Sequence, residues 1–264
     1  MIGQLQYVFG PVQSWRLGRS LGIDPLSSKH KICNMNCVYC QLGSTVELVS
    51  ERQVFVPTED VLSEIRRIPL NFVDHITFAG RGEPTLAQNL GEMIRGIKKI
   101  RHEKVAVLTN SSLMNLKEVR DDLAQADFVL AKLDAGDQSY FDAVDQGKGL
   151  DFDSIVQGVK DFRQEFKGKL AIQIMLINEN IDNIKKIAHV VSQLGADEIQ
   201  LDTPLRPSAV KPLSRQSIQW AQKYFKDLPI ISVFDAPLKE CKPIDERATI
   251  KRHGNYHKKI LFEN

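Results

Sequence analysis

Cysteine is scarce in this chain and unevenly spent: there are four among 264 residues, none before position 33, three within one stretch of eight and one alone at Cys241. So small and lopsided a set cannot build the disulfide framework of a secreted mini-domain. Long apolar runs are also missing. The longest, such as 170–177, fall far short of the roughly 20 residues that cross a bilayer. The chain opens without the basic segment and apolar core of a secretory leader. Neither sign of charge dominates: 35 basic against 33 acidic residues leave +2, too little by itself to argue for nucleic acid. No internal repeat or low-complexity linker is found, and no disordered or fibrous class fits. These absences predict a soluble, cytoplasmic protein with no membrane partner.

What is present suits one large domain, or one α/β barrel-like domain with small additions, since 42% of the residues are hydrophobic. Strand-like and helix-like segments alternate. Strands are expected at 20–25, 74–79, 104–109, 127–133, 169–177 and 198–201. Helices are expected at 58–68, opened by an N-cap residue, and at 87–100, 115–124, 152–166, 181–194 and 214–225. Apolar residues recur at Ile184, Ile187, Ala188, Val191 and Leu194, a stripe that would bury against a sheet. The alternation predicts a parallel α/β sheet of six strand–helix units, two short of a closed eight-fold barrel. A flat doubly wound sheet is the competing arrangement. The open barrel is favoured by where the unusual residues fall, because the loops after the strand C-termini of a parallel barrel build its active site.

The first such loop is Cys33-Asn34-Met35-Asn36-Cys37-Val38-Tyr39-Cys40, with the spacing C-x3-C-x2-C. Three clustered thiols read as a metal site. An ordinary iron–sulfur cluster takes four cysteine thiolates and a closed zinc site takes four ligands, so one metal position lacks a protein sulfur. Two plainer readings compete. His30 with the three cysteines makes a Cys3His zinc knuckle, or the thiols are simply core residues, for which an Asn-rich loop is poor material.

After the second strand comes Ala79-Gly80-Arg81-Gly82-Glu83-Pro84-Thr85, where glycine lets backbone approach a ligand and Glu83 can accept from an ammonium group; such turns are also common punctuation. The third strand ends in Thr109-Asn110-Ser111-Ser112, able to bond a ribose or carboxylate, with helix capping the plainer job of the serines. On the fourth, Lys132 and Asp134 share a face at a depth where unpaired charge is costly. They either pair with each other, or Lys132 meets an anionic group and Asp134 orients it. On the fifth, Leu176 with Ile172 and Ile174 offers an apolar wall for adenine and leads to Asn178.

The cysteine motif, with an aromatic residue before its last cysteine, resembles the signature of the radical S-adenosylmethionine (SAM) superfamily. Six strand–helix units resemble that superfamily's partial TIM-like barrel. The resemblance implies a 4Fe-4S cluster on Cys33, Cys37 and Cys40, with SAM chelating the fourth iron and a one-electron reductant such as flavodoxin or ferredoxin. It implies Tyr39 against the adenine, Gly80, Gly82 and Glu83 at the methionyl amine, and Thr109, Asn110, Leu176 and Asn178 lining the cofactor. Lys132 and Asp134 are the candidate catalytic pair. The segment 41–57 is a candidate lid.

Further stretches, 7–11, 16–22, 37–43, 82–85 and 201–204, are similar to the wyosine-synthetase-like group, whose characterised members build a tricyclic base on tRNA with a second iron–sulfur cluster held by cysteines before the SAM motif. This chain has none there. The resemblance therefore implies SAM cleavage with tRNA as a partner, while peptide or metabolite substrates stay open, as does a non-catalytic zinc-binding module. Basic residues gather at both ends: Arg16, Arg19, Lys29, His30 and Lys31, then Arg247, Lys251, Arg252, His253, His257, Lys258 and Lys259. A basic patch is only the electrostatic footprint of nucleic-acid binding. The expected organisation is a barrel domain over 1–230 with an N-terminal extension, and a short basic extension over 231–264.

Overall fold

A computed structural model describes residues 5–69, 73–225 and 228–253. Eight strands form one sheet: β1 (Val8–Ser14), β2 (Gly18–Ile23), β3 (His75–Phe78), β4 (Lys104–Thr109), β5 (Phe128–Lys132), β6 (Lys169–Met175), β7 (Glu198–Asp202) and β8 (Ile230–Ser232). Between and after them lie α1 (Thr58–Arg66), α2 (Leu90–Ile100), α3 (Lys117–Leu123), α4 (Gln138–Val144), α5 (Phe152–Glu165), α6 (Ile184–Ser192), α7 (Arg215–Gln222) and α8 (Glu246–His253). β1 pairs antiparallel with β2, and every later neighbouring pair is parallel. The strands follow one another in chain order. Right-handed crossovers in an unreversed order keep the helices on one side, so the sheet curls into an open, partial TIM-like barrel rather than a doubly wound sheet with a switch point.

Alternation along the strands divides two apolar layers. Val105, Val107, Val129, Leu170, Ile172 and Ile199 join the main core with Ile94, Val119, Val159 and Ile187 from the helices. The register aligns this layer, with Leu21 beside Ile76, Ile76 beside Val105, Val129 beside Leu170 and Ile172 beside Ile199. Ala106, Leu108, Phe128, Leu130 and Ala171 face the other way and pack on Leu17. Leu17 lies in the turn between β1 and β2, so that turn folds into the concave side of the sheet. The stripe on α6 is core as its spacing predicts: Ile184, Ile187, Ala188 and Val191 are all buried.

Four elements escape the periodicity. β1 contains Gly10-Pro11 and carries an irregularity between Phe9 and Val12, features that argue against a strand in sequence and suit an edge. β8 is three residues long and crosses the expected boundary at 230/231. α4 follows an Asp137 cap, whose carboxylate accepts from the Tyr140 amide at 3.1 Å. α8 is polar and lacks a broad apolar stripe. At α1 the cap expectation fails: Pro57 is the capping residue and has no side-chain donor or acceptor, while the Thr58 hydroxyl accepts from Asn89 Nδ2 at 3.0 Å. Ser111 and Ser112 do not cap α3, which starts after Leu116.

Of the expected basic ends, His257, Lys258 and Lys259 lie outside the described residues, whereas Arg252 turns inward. It pairs at 3.3 Å with Asp24, the two side chains being 2% and 0% exposed, and so ties α8 to the loop after β2. Arg19 binds Asp74 through its backbone amide at 2.8 Å and its guanidinium at 3.2 and 3.3 Å, and Lys239 adds a contact at 3.1 Å. Those hydrogen bonds, Arg19 foremost, hold the Asp74 carboxyl well below the usual carboxylate range. Its contribution is complete at neutral pH and disappears as pH falls through and below that range. Asp74→Asn is expected to cost about 1 kcal/mol at pH 7, the pair being partly exposed. The gap to the parent should close on acidification in urea unfolding; a gap independent of pH would refute the assignment.

Candidate active site

The cysteine loop leaves β2 and is clamped to the glycine loop after β3. Ile32 N–H donates to Arg81 O at 2.9 Å, and Glu83 N–H donates to Ile32 O at 3.0 Å. At Gly82, φ is +155° and an added Cβ would lie 1.5 Å from Ile32 O. No side chain fits there, because the contact is with backbone. Gly82→Ala is therefore expected to destabilise the protein by more than about 3 kcal/mol through strain and displaced backbone; a loss under 1 kcal/mol in chemical denaturation would exclude this tight clamp. Gly80, at φ +138°, lies against the Asp24 side chain.

Glu83 is buried and organises the ends of β3 and β4. Its Oε1 accepts from the Thr85 amide at 3.0 Å and from the Thr85 and Thr109 hydroxyls at 2.7 Å, and its Oε2 accepts from the Asn110 amide at 2.6 Å. Burial pushes its carboxyl up and these donors oppose the shift. Oε1 is saturated; Oε2 takes one protein donor and keeps acceptor capacity. Asn110 in turn donates to Asn34 Oδ1 at 2.8 Å and points Nδ2 at Cys33 Sγ, 3.7 Å away.

The second arm of the site is a buried charge cluster. Lys132 Nζ donates to Asp134 Oδ2 at 2.8 Å, to the Tyr39 hydroxyl at 2.6 Å and to Asp145, and lies 3.5 Å from Cys37 Sγ. Tyr39 donates to Asp134, whose other oxygen accepts from the Met175 amide at 2.7 Å. Lys132 is 14% exposed, Asp134 0% and Asp145 2%. Burial works against the Lys132 ammonium, but the Asp134 and Asp145 charges outweigh it and raise its pKa well above normal. Burial pushes the Asp145 carboxyl up to about 6, against the pull of Lys132, and drives the Cys37 thiol far up. Asp145 went unrecognised in sequence; it follows the short α4, and nothing local distinguishes it from a surface carboxylate.

The structure thus brings together Cys33, Cys37, Tyr39, Gly82, Glu83, Thr109, Asn110, Lys132 and Asp134. It does not bring Leu176 or Asn178 to them. Leu176 is fully buried in the layer that faces the helices, so it forms core rather than a wall at the concave surface. Asn178 is exposed. The buried polar residue there is Asn180, whose Nδ2 donates to the carbonyls of Asp134 and Met175 at 2.9 Å. Met175 instead joins Tyr39, Val144 and Ile177 in a small apolar cluster. The candidate lid is stitched down: Thr45 bonds Asn36 and Met35, Val49 bonds Cys33, and Arg52 bonds the carbonyls of Thr85 and Ala87. A small pocket beside the loop is lined by Met35, Asn110, Lys132, Asp134 and Asp145, with Phe141 and Phe152 at its apolar side.

His30 is exposed, and among the described residues no three His, Cys, Asp or Glu side chains converge on a point that would hold one metal ion. A cluster, which spreads its thiolate ligands over separate irons, needs no such convergence. Residues 28–191 match the family model of the radical SAM superfamily. The chain belongs to the radical SAM superfamily. It is 42% identical over 213 residues to a UPF0026 protein of Synechocystis sp., covering 79% of this chain and 78% of that one. It is also 38% identical over 257 residues to a protein named GTPase Obg from Brachyspira hyodysenteriae, where the match covers 92% of this chain but only 38% of the relative. In fold, the radical SAM chain resembles the structure of TYW1 with a lysine–pyruvate adduct bound, at a TM-score of 0.63 and 21% identity over 80% of this chain and 74% of that one.

The residues present fit the cofactors that the superfamily implies. Two of the three thiols already meet nitrogen donors, Asn110 at Cys33 and Lys132 at Cys37, of the kind that neutralise sulfur charge around an iron–sulfur centre. Burial disfavours both thiolates in the free protein, a cost that a bound metal centre would offset.

Proposed function

We propose that this radical SAM protein cleaves SAM reductively at the mouth of its open barrel and uses the resulting radical on an RNA base, with tRNA as the substrate class. The observation that carries the reading is the junction of three cysteines on one loop with the Glu83–Asn110 arm on one side and the Lys132–Asp134–Asp145 arm on the other. Cys33, Cys37 and Cys40 would hold three irons of a 4Fe-4S cluster. With SAM bound, that cluster would supply the electron that breaks the sulfonium carbon–sulfur bond, releasing methionine and a 5'-deoxyadenosyl radical for hydrogen abstraction. Lys132 keeps its positive charge 3.5 Å from Cys37 Sγ, Glu83 Oε2 offers an acceptor for the methionyl amine, and Tyr39 is pinned by its hydroxyl so that its ring cannot swing. Gly82 lets its loop close on the Ile32 carbonyl and Gly80 lets it pack on Asp24, which together fix the position of Glu83. A reduced flavodoxin or ferredoxin supplies the electron, which suits the reducing environment of the cytoplasm.

Support for RNA comes from the similarity of the sequence motifs to the wyosine-synthetase-like group and from the exposed Lys29, His30, Arg247 and Lys251. The test is anaerobic reconstitution with iron and sulfide, reduction, addition of SAM and chromatography for 5'-deoxyadenosine. Cleavage, together with a tRNA affinity that falls steeply with salt, is the expected result. A colourless protein that retains zinc and never cleaves SAM would overturn it. Cleavage without salt-sensitive tRNA affinity would move the substrate to a peptide or metabolite.

A further inference from the structure

Two motifs far apart in sequence meet inside the barrel. The turn between β1 and β2, which buries Leu17 on the concave face, also carries Arg16 to the end of β7, where it pairs with Asp202. Asp202 is already shared, because it accepts from Gln173 Nε2 and from the Thr203 amide, each at 2.8 Å. Beside this pair stands Arg206, whose hydrogen-bond partners among the described residues are neutral: Gln41 Oε1 at 2.9 Å and His253 Nε2 at 2.7 Å. Gln41 follows Cys40 directly, so the group borders the cysteine loop.

The charges do not balance. Two guanidiniums face one carboxylate, and the deficit is paired with unmade hydrogen bonds. Arg16 Nε and His253 Nδ1 are buried and have no partner among the described residues. With Nε2 accepting from Arg206, the His253 proton sits on Nδ1, so both orphans are donors. Arg206 is lowered to about 10 by burial and then by the charge of Arg16, and His253 is pushed well below its usual value by burial, Arg206 and Arg16. Buried donors and uncompensated positive charge cost free energy unless an anion completes them, and a guanidinium fork suits carboxylate and phosphate oxygens.

We infer that Arg16, Arg206 and His253 form a receiving site for an oxyanion, a phosphate or carboxylate group carried by the substrate, at the barrel mouth beside Gln41. Calling the ligand a substrate group rests on the function proposed above; the anion site itself does not. Arg16 and Arg206 supply charge and His253 Nδ1–H a directional donor, while Asp202 and Gln173 hold Arg16 in place.

The Trp15 ring centroid lies 4.3 Å from the Arg16 guanidinium, which makes its fluorescence a local reporter, and the other tryptophan, Trp220, is exposed on α7. Inorganic phosphate and acetate are titrated separately into the reconstituted protein, with and without saturating SAM. One of the two is expected to give a saturable change unaltered by SAM: phosphate alone identifies a phosphate-bearing substrate, acetate alone a carboxylate. Arg206→Gln should weaken it at least tenfold, and Arg206→Lys, which keeps the charge and loses the fork, by a smaller factor that still reads the site should the glutamine variant misfold. Arg215→Gln, at an exposed arginine paired with Asp235, should change nothing. No saturable response to either anion, equal loss in Arg215→Gln, or displacement by SAM would overturn the inference. SAM cleavage is followed on the same preparation. Cleavage without anion binding sinks this inference alone, and anion binding without cleavage sinks the radical reading and leaves the site standing.

Discussion

Cys37→Ala is expected to abolish 5'-deoxyadenosine formation, with a loss of at least about 100-fold, since even outer partners of metal ligands act on that scale. The variant should also load less iron. Cys37 serves this test well because its neighbours are mapped: its thiol meets Lys132 at 3.5 Å, and its carbonyl closes the turn by accepting from the Cys40 amide at 3.0 Å, a bond alanine keeps. Cys241→Ala is the control. Cys241 is partly buried far from the loop, with Sγ 3.5 Å from Pro11 O and near Arg19 and Asp74, and its loss should leave cleavage intact. Undiminished cleavage by Cys37→Ala would remove the cluster from the loop altogether.

Lys132→Met should be the most destabilising single change at the site. It withdraws the cation from between Asp134 and Asp145 and leaves two buried carboxylates facing each other. Breaking a buried ion pair from one side costs about 3–5 kcal/mol, whereas replacing all members by neutral groups is often tolerated. The triple variant Lys132→Met, Asp134→Asn, Asp145→Asn is therefore expected to recover most of the loss. The measurement is the urea midpoint of the metal-free protein at constant slope. A single-variant loss below 1 kcal/mol, or a triple variant no better than the single, would show that the cluster does not hold the fold. Recovered stability without recovered SAM cleavage would separate Lys132 as a contributor to function from Lys132 as a structural counter-charge.

The parts of the architecture that are legible in sequence are those encoded locally. Period-2 and period-3.6 patterns locate β2 to β7 and most of their helices, because the layer facing the helices is a continuous apolar run on each strand. Short or mixed signals hide the rest: the Gly10-Pro11 break in β1, three residues in β8, and polar surfaces on α4 and α8. At the site, the cysteine spacing, Glu83 and Asn110 are visible because each sits in a distinctive local motif. Leu176 misleads because alternation identifies two faces without saying which one is concave. Asn178 misleads because the chain turns outward after β6 and returns its polar contact through Asn180.

By itself the sequence determined the alternation of strands and helices from β2 to β7, the three-thiol loop and the superfamily, all properties of neighbours along the chain. Only the tertiary structure decided which charges are buried together. Lys132 meets Asp145 across 13 residues, Asp24 meets Arg252 across more than 200, and Arg16 meets Asp202 across 186. Such pairings form where sheet curvature brings distant loops into one low-dielectric space, where the cost of an unpaired charge selects its partner. Nothing in local periodicity records that cost.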